Sequence, residues 1–145
     1  MLNVLIAEDE LMIADMIEET LVENGYGVCG IARSVDEAVA LARDHKPDLA
    51  VIDLRLADGG LGTEIAAEFA GPGRFGILYA SGNIARGMLN AANGEACITK
   101  PYGASALLRG LEIVAELVAK GMTVGQFPRG FHLLEAAPSS IAGES

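Results

Sequence analysis

Five polar side chains each follow a short apolar segment, and their types suit one kind of chemistry. They are Glu8, Asp9, Asp53, Ser81 and Lys100. Clustered carboxylates stay ionised at neutral pH only when a cation compensates them. A few oxygen ligands favour Mg²⁺, which bridges to phosphate oxygens, and an aspartate can itself attack a phosphoryl group. Together the five predict a magnesium site in which Asp53 accepts a phosphoryl group, Lys100 neutralises its oxygens and Ser81 donates a hydrogen bond to it.

The apolar segments before these residues have the length of β-strands. Several are apolar without interruption, such as Val4-Leu5-Ile6 and Leu49-Ala50-Val51-Ile52. Uninterrupted runs are typical of parallel strands that are covered on both faces. Five strands are predicted, over residues 3–7, 27–32, 49–53, 76–80 and 96–99.

Segments with helical periodicity alternate with these strands. Five helices are predicted, over residues 10–24, from Ser34 onward, and over residues 62–70, 83–93 and 103–120. The alternation predicts an α/β fold with right-handed crossovers. We expect a flavodoxin-like, doubly wound, five-stranded parallel sheet in the order 2-1-3-4-5. Such sheets bind ligands at the carboxyl ends of their strands, where all five polar groups fall.

The composition excludes several classes of protein. The 145 residues fit one compact domain. The net charge of −10 comes without a basic stripe, which argues against nucleic-acid binding. No apolar run approaches the roughly 20 residues that a membrane span needs. The acidic cluster at residues 8–10 does not fit a secretory signal, so we expect a cytoplasmic protein.

The two cysteines are expected to be small buried residues. Cys29 and Cys97 lie in the second and fifth predicted strands, which the expected order places at opposite edges of the sheet. Four strand spacings separate those edges by roughly 19 Å, which is too far for a disulfide.

Each polar group also has an ordinary structural role open to it. Asp53 could form a turn, the acidic cluster could favour the start of a helix, and Ser81 could cap a helix. Lys100 alone would be a solvated surface side chain. Folding does not require all of them at one edge of a sheet, so we favour the functional interpretation.

The span from residue 2 to residue 120 resembles a bacterial response-regulator receiver domain. The resemblance depends on four motifs, which together are specific although each alone is weak. They are Glu8-Asp9 after the first strand, Val51-Ile52-Asp53-Leu54, Tyr79-Ala80-Ser81-Gly82 and Lys100-Pro101-Tyr102.

The resemblance implies a role for each site residue. Asp53 would be the phosphoacceptor, and Ser81 and Lys100 would contact the phosphoryl group. The Mg²⁺ ligands would be Glu8, Asp9, Asp53 and the backbone carbonyl of Arg55. The Lys100–Pro101 peptide bond would be cis. The phosphoryl donor would be a sensor histidine kinase or a phosphotransfer protein, and the chain would catalyse only its own phosphoryl transfer and dephosphorylation.

The sequence departs from the receiver pattern in two places. Receivers usually carry Tyr or Phe three residues before the lysine, whereas Cys97 stands there in this chain. The usual account, in which that aromatic ring swings, therefore does not apply directly. The segment Tyr79-Ala80-Ser81-Gly82 is instead similar to a receiver subgroup with a Phe-Ala-Thr-Gly motif after strand four.

Two regions suggest contacts beyond the site. The predicted core stripe of the last helix consists of Leu107, Leu108, Leu111, Val114, Ala115 and Val118. Ile113 and Leu117 lie off this stripe, which favours a docking face there or a homodimer. Residues 1–120 are assigned to the receiver and 121–145 to a C-terminal tail. The tail contains Phe127 and Phe131, so we expect it to fold back on the domain or to meet a partner, with a frayed end from residue 136.

Two other functions stay open on the residues. A small phosphohydrolase could use Asp53 as its nucleophile, but haloacid-dehalogenase-like enzymes carry their general acid where this chain has Arg55. A receiver-like binding module that takes no phosphate is the second, and such modules usually lack the acidic pair, the aspartate or the lysine. We expect the chain to signal by protein–protein contact or to serve as a phosphate sink.

Overall fold

The computed structural model describes residues 1–71, 74–82 and 89–136. The strands are β1 (Asn3–Ala7), β2 (Gly27–Ala32), β3 (Leu49–Asp53), β4 (Gly76–Ser81), β5 (Ala96–Thr99) and β6 (Phe131–Leu133). The helices are α1 (Leu11–Glu23), α2 (Val35–His45), α3 (Gly62–Glu68) and α4 (Ala104–Lys120), with a 3₁₀ turn at Ala57–Gly59.

The six strands form one sheet in the order β2-β1-β3-β4-β5-β6. The first five are parallel, which confirms the predicted fold class and the predicted order. β6 was not predicted, and it runs antiparallel to β5. Three residues are too few to show a strand period, and the glycine at position 130 makes this stretch resemble a loop in sequence.

Apolar side chains fill both faces of the sheet, as the uninterrupted strands predict. Leu5 and Ile52 point to one face, which is covered by α2 and α3. Ile6 and Val51 point to the other, which is covered by α1 and α4. Neighbouring residues of one strand thus serve opposite layers. The layers leave the carboxyl ends of the parallel strands as a common edge.

The predicted fourth helix has no counterpart among the described residues. Positions 83–88 of that prediction lie outside the described residues, and positions 91–93 form a turn. Asn90 and Asn93 account for the turn, because their side-chain oxygens accept hydrogen bonds from the Ala92 and Asn90 amides, both at 2.9 Å. Such local bonds compete with helical hydrogen bonding.

The predicted core stripe of the last helix was wrong at two positions, Ile113 and Val118. Ile113 was expected outside the core, but it is fully buried, because α4 packs against α1 as well as the sheet. Val118 was expected in the core, but it is 49% exposed at the end of the helix. Leu117 is half-buried. The apolar face that suggested a homodimer is therefore largely covered within the chain.

The two cysteines are not joined in a disulfide, as predicted. Cys29 lies in β2, at one edge of the sheet. Cys97 lies in β5, which the added strand β6 separates from the other edge. Among the helices in the described part of the chain, none combines the length and the apolar composition of a membrane span.

Candidate functional site

The five predicted site residues meet at the carboxyl ends of the parallel strands. Glu8 and Asp9 follow β1, Asp53 ends β3, Ser81 ends β4 and Lys100 follows β5. All but Glu8 line a cleft of about 390 Å³, together with neighbouring residues Glu10, Leu54, Arg55 and Gly82. The parallel arrangement is what brings these residues together, since their chain separations are long.

Lys100 connects the acidic groups directly. Its ammonium Nζ donates to Asp53 Oδ2 at 2.9 Å and to Glu8 Oε1 at 3.3 Å. The lysine side chain is 27% exposed, whereas the two carboxylate side chains are 12% and 2% exposed. Because water screens such shielded charges only partly, the ammonium group is an important compensating charge for both acids.

The carboxylates are also arranged as a metal site. Glu8, Asp9 and Asp53 each offer one oxygen, and the three oxygens lie within 4.8 Å of one another. A small set of carboxylate oxygens beside an open cleft suits Mg²⁺, which keeps several water ligands. The residues present therefore fit the cation that the sequence predicts.

The raised pKa of Glu8 is a further feature that favours a bound cation. The pKa of Glu8 is raised to about 7, chiefly by burial and in smaller part by the charge of Asp53. A hydrogen bond from the Glu10 amide and the charge of Lys100 lower it, but they do not outweigh burial. A divalent cation at this site would hold Glu8 fully ionised at neutral pH.

At Lys100 the neighbouring acids outweigh the effect of burial. Burial on its own lowers the pKa of a lysine, but the hydrogen bond and the charge of Asp53, with those of Glu8, raise the pKa of Lys100 overall. The side chain is therefore a permanent cation at neutral pH. It is placed to meet any negative group that forms on Asp53.

The backbone around Asp53 fixes the orientation of its carboxylate. The Arg55 amide donates to Asp53 Oδ1 at 3.3 Å, so the two oxygens of Asp53 have different partners. The Leu54 carbonyl accepts from the Gly62 amide at 2.7 Å, which ties the loop after β3 to α3. Arg55 lies in the cleft, and metal binding by its carbonyl stays a prediction.

Ser81 lies beside Asp53, and its hydroxyl group can change its hydrogen-bond partner. Its side chain is buried, and among the described residues its Oγ bonds only to the carbonyl of the next residue, Gly82, at 3.3 Å. A hydroxyl proton can rotate towards a better acceptor. The backbone of the same residue accepts from the Lys100 amide at 2.8 Å, which joins the ends of β4 and β5.

The peptide bond between Lys100 and Pro101 is cis, as predicted. It leads to Tyr102, whose importance the sequence analysis missed. Burial raises the pKa of Tyr102 to about 12, and the charges of Lys100, Glu8 and Asp53 act on it. Its buried hydroxyl has no hydrogen-bond partner among the described residues. The only signal in the sequence was its place in the Lys-Pro-Tyr motif.

Residues 4–112 match the sequence model of the response regulator receiver domain. The chain is 34% identical over 114 residues to the transcriptional regulatory protein PdtaR of Mycobacterium tuberculosis, covering 77% of this chain and 55% of that protein. It is 48% identical over 64 residues to the phyllosphere-induced regulator PhyR of Methylorubrum extorquens, covering 43% of this chain and 24% of that one.

A solved receiver domain gives the same result in three dimensions. The CheY-like receiver from Methanospirillum hungatei superimposes with a TM-score of 0.71 at 26% identity, covering 83% of this chain and 98% of that one. The chain therefore belongs to the response regulator receiver domain family. It spans about half the length of PdtaR and about a quarter of PhyR.

Proposed function

We propose that the chain is a phosphorylation-dependent signalling switch that accepts a phosphoryl group on Asp53 in the presence of Mg²⁺. One observation supports this proposal above the others. Three carboxylate oxygens within 4.8 Å of one another are paired with a lysine that contacts two of the three acids, at the open end of a receiver sheet. A site that only stabilised the fold would not need so many charged groups beside a cleft.

The proposed reaction is a displacement at phosphorus. An Asp53 carboxylate oxygen forms a bond to the phosphorus, while the bond from phosphorus to the donor atom breaks and its electron pair leaves with the donor, which takes a proton from solvent. The product is an acyl phosphate. When Mg²⁺ is bound, it neutralises charge on the phosphoryl oxygens.

The residues around Asp53 would stabilise the product. The Lys100 ammonium already contacts Asp53 Oδ2 and needs only a small movement to reach a phosphoryl oxygen. The Ser81 hydroxyl can leave its long bond to Gly82 and donate to another oxygen. Both groups would report the state of Asp53 to the ends of β4 and β5.

We infer the partners from the family. The donor would be a sensor histidine kinase or a phosphotransfer protein in the cytoplasm, and output would be protein–protein contact. A homodimer through α4 stays a prediction, for which half-buried Leu117 is the remaining apolar candidate on that helix face.

Incubation with acetyl phosphate tests the proposal without knowledge of the kinase. We expect the intact chain to gain one phosphoryl group when Mg²⁺ is present and none when it is chelated. Asp53→Asn should abolish the gain. The matched control is Asp58→Asn, at an exposed aspartate in the loop that follows, and it should be labelled like the wild type.

Other results would select the alternatives. Absence of labelling in the wild type would favour a binding module that takes no phosphate. Continuous release of phosphate from phosphomonoesters, lost in Asp53→Asn, would favour a phosphohydrolase.

A further inference from the structure

The chain after α4 binds back onto the sheet, although the family match ends at residue 112. β6 pairs with β5 so that Phe131 lies opposite Ile98 and His132 opposite Cys97. The Leu134 amide then donates to the Glu95 carbonyl at 2.9 Å. The tail therefore follows the whole length of β5.

One contact lies next to the candidate site. The Thr99 amide donates to the Gly130 carbonyl at 2.9 Å, and Thr99 immediately precedes Lys100. On the opposite side, the Lys100 amide donates to the Ser81 carbonyl at 2.8 Å. The backbone from which the site lysine projects is thus held between β4 and the tail.

Two anchors, one apolar and one polar, hold the tail against α4. Phe131 is only 4% exposed and belongs to the same core cluster as Leu107 and Leu111 of α4. It fits there because Gly110 has no side chain: a Cβ at Gly110 would come within 3.4 Å of the Phe131 ring. A longer residue at position 110 would push the tail away from the helix.

The second anchor is a side chain that binds tail carbonyls. Arg109 donates to the Val124 carbonyl at 2.6 Å and to the Gln126 carbonyl at 3.3 Å. Thr123 adds a hydrogen bond from its hydroxyl to Glu116. Polar contacts therefore hold the first part of the tail and apolar packing holds the strand.

We propose that the tail, residues 123–134, is a positioning element of the phosphoryl site. By fixing the end of β5, it holds the Lys100 ammonium where it meets Asp53 and, after transfer, a phosphoryl oxygen. The proposal rests on the proposed function. Its physical basis is that displacement of a charged group by about 1 Å weakens binding and reaction strongly.

The test uses the full chain and beryllofluoride, which mimics a phosphoryl group on an aspartate. Arg109→Ala should release the first part of the tail and accelerate amide exchange at residues 131–134 by about tenfold. Calorimetry should show about fivefold weaker binding of beryllofluoride with Mg²⁺. The affinity for Mg²⁺ alone should not fall, because its proposed ligands follow β1 and end β3 and a displaced Lys100 would compete less for them.

Arg129→Ala is the matched control. It removes the same charge from an exposed position in the tail, so exchange rates and affinities should equal those of the wild type.

The coupling between the tail and the site can also be measured in the opposite direction, on the wild type. General destabilisation of the fold would not reproduce this result. Beryllofluoride with Mg²⁺ should slow exchange at residues 131–134, since coupling between two sites acts equally in both directions.

The outcomes separate the two proposals. If the wild type does not bind beryllofluoride, the proposed function fails. If it binds, but Arg109→Ala loosens the tail and keeps the wild-type affinity, only the positioning role is overturned. Phe131→Ala provides a second variant of the same test. A tail that stays protected from exchange in both variants would also count against the proposal, because these anchors would then not hold it.

Discussion

Lys100 is the residue on which the state of the site depends, since its ammonium group is shared between Asp53 and Glu8. In the metal-free protein it supplies compensation that Mg²⁺ would otherwise provide. The lysine and the cation therefore compete for the same oxygens, although both would serve the phosphorylated product. This competition has a measurable consequence.

Lys100→Met should raise the affinity for Mg²⁺ by about threefold to tenfold, because removal of the ammonium leaves the carboxylates more negative. Calorimetric titration with MgCl₂ measures the effect. Lys120→Met removes the same charge from an exposed position at the end of α4, outside the site, and should have little effect. Weaker Mg²⁺ binding in Lys100→Met would contradict the competition.

Two tyrosines provide a matched pair at the residue scale. The Tyr79 hydroxyl donates to the Asn93 carbonyl at 2.7 Å, whereas the Tyr102 hydroxyl has no partner among the described residues. Tyr79→Phe should lower the free energy of unfolding by about 1 kcal/mol, because the bond is lost and a carbonyl is left unpaired. Tyr102→Phe should leave it unchanged or raise it by up to about 1 kcal/mol, because an unpaired buried hydroxyl is removed.

Chemical denaturation of the two variants and the wild type measures both effects. An equal loss of stability in the two would show that Tyr102 makes a hydrogen bond in solution. The sequence could not distinguish these tyrosines, because the partner of Tyr79 is a backbone carbonyl placed by the turn at residues 91–93, and residue spacing does not show it.

Among the helices, α3 begins very close to the end of the acceptor strand, at Gly62. A Cβ on Gly62 would lie 2.5 Å from Ile52 Cγ2 and 2.6 Å from the Asp53 carbonyl oxygen. The carbonyl belongs to the acceptor residue itself, so the helix would have to move. The glycine at this position therefore sets the distance between α3 and the end of β3.

Gly62→Ala should destabilise the fold by about 1–3 kcal/mol, because overpacking forces the backbone to shift. It should also slow labelling by acetyl phosphate, since the Asp53 backbone is displaced. Thermal unfolding and the rate of labelling are the measurements. Gly103→Ala, whose added Cβ meets nothing within 4 Å, should cost less than about 1 kcal/mol. Equal effects of the two substitutions would contradict the close approach.

The elements also show which parts of the fold a sequence can predict. β1 to β5 were predictable because continuous apolar runs of strand length, such as Leu49 to Ile52, are typical of buried parallel strands. β6 was not, because its stability comes from pairing with β5 and from Phe131 in the core. The burial of Ile113 was missed for a similar reason, since α1 covers it and helical periodicity does not show such a neighbour.

At the scale of the whole molecule, the site was more predictable than its surroundings. The carboxyl ends of parallel strands meet at one edge, so residues that end β1, β3, β4 and β5 had to approach one another. The pairing of Lys100 with Glu8, and the rise of the Glu8 pKa to about 7, depend on burial that residue spacing does not encode.

The most direct measurement of the central claim is the site of phosphorylation. After incubation with acetyl phosphate and Mg²⁺, mass spectrometry of peptides prepared at acidic pH should find one added phosphoryl group, on the peptide that contains Asp53. Fragmentation should assign it to the Asp53 side chain. A phosphoryl group on any other residue, or none on a folded and Mg²⁺-saturated chain, would contradict the account.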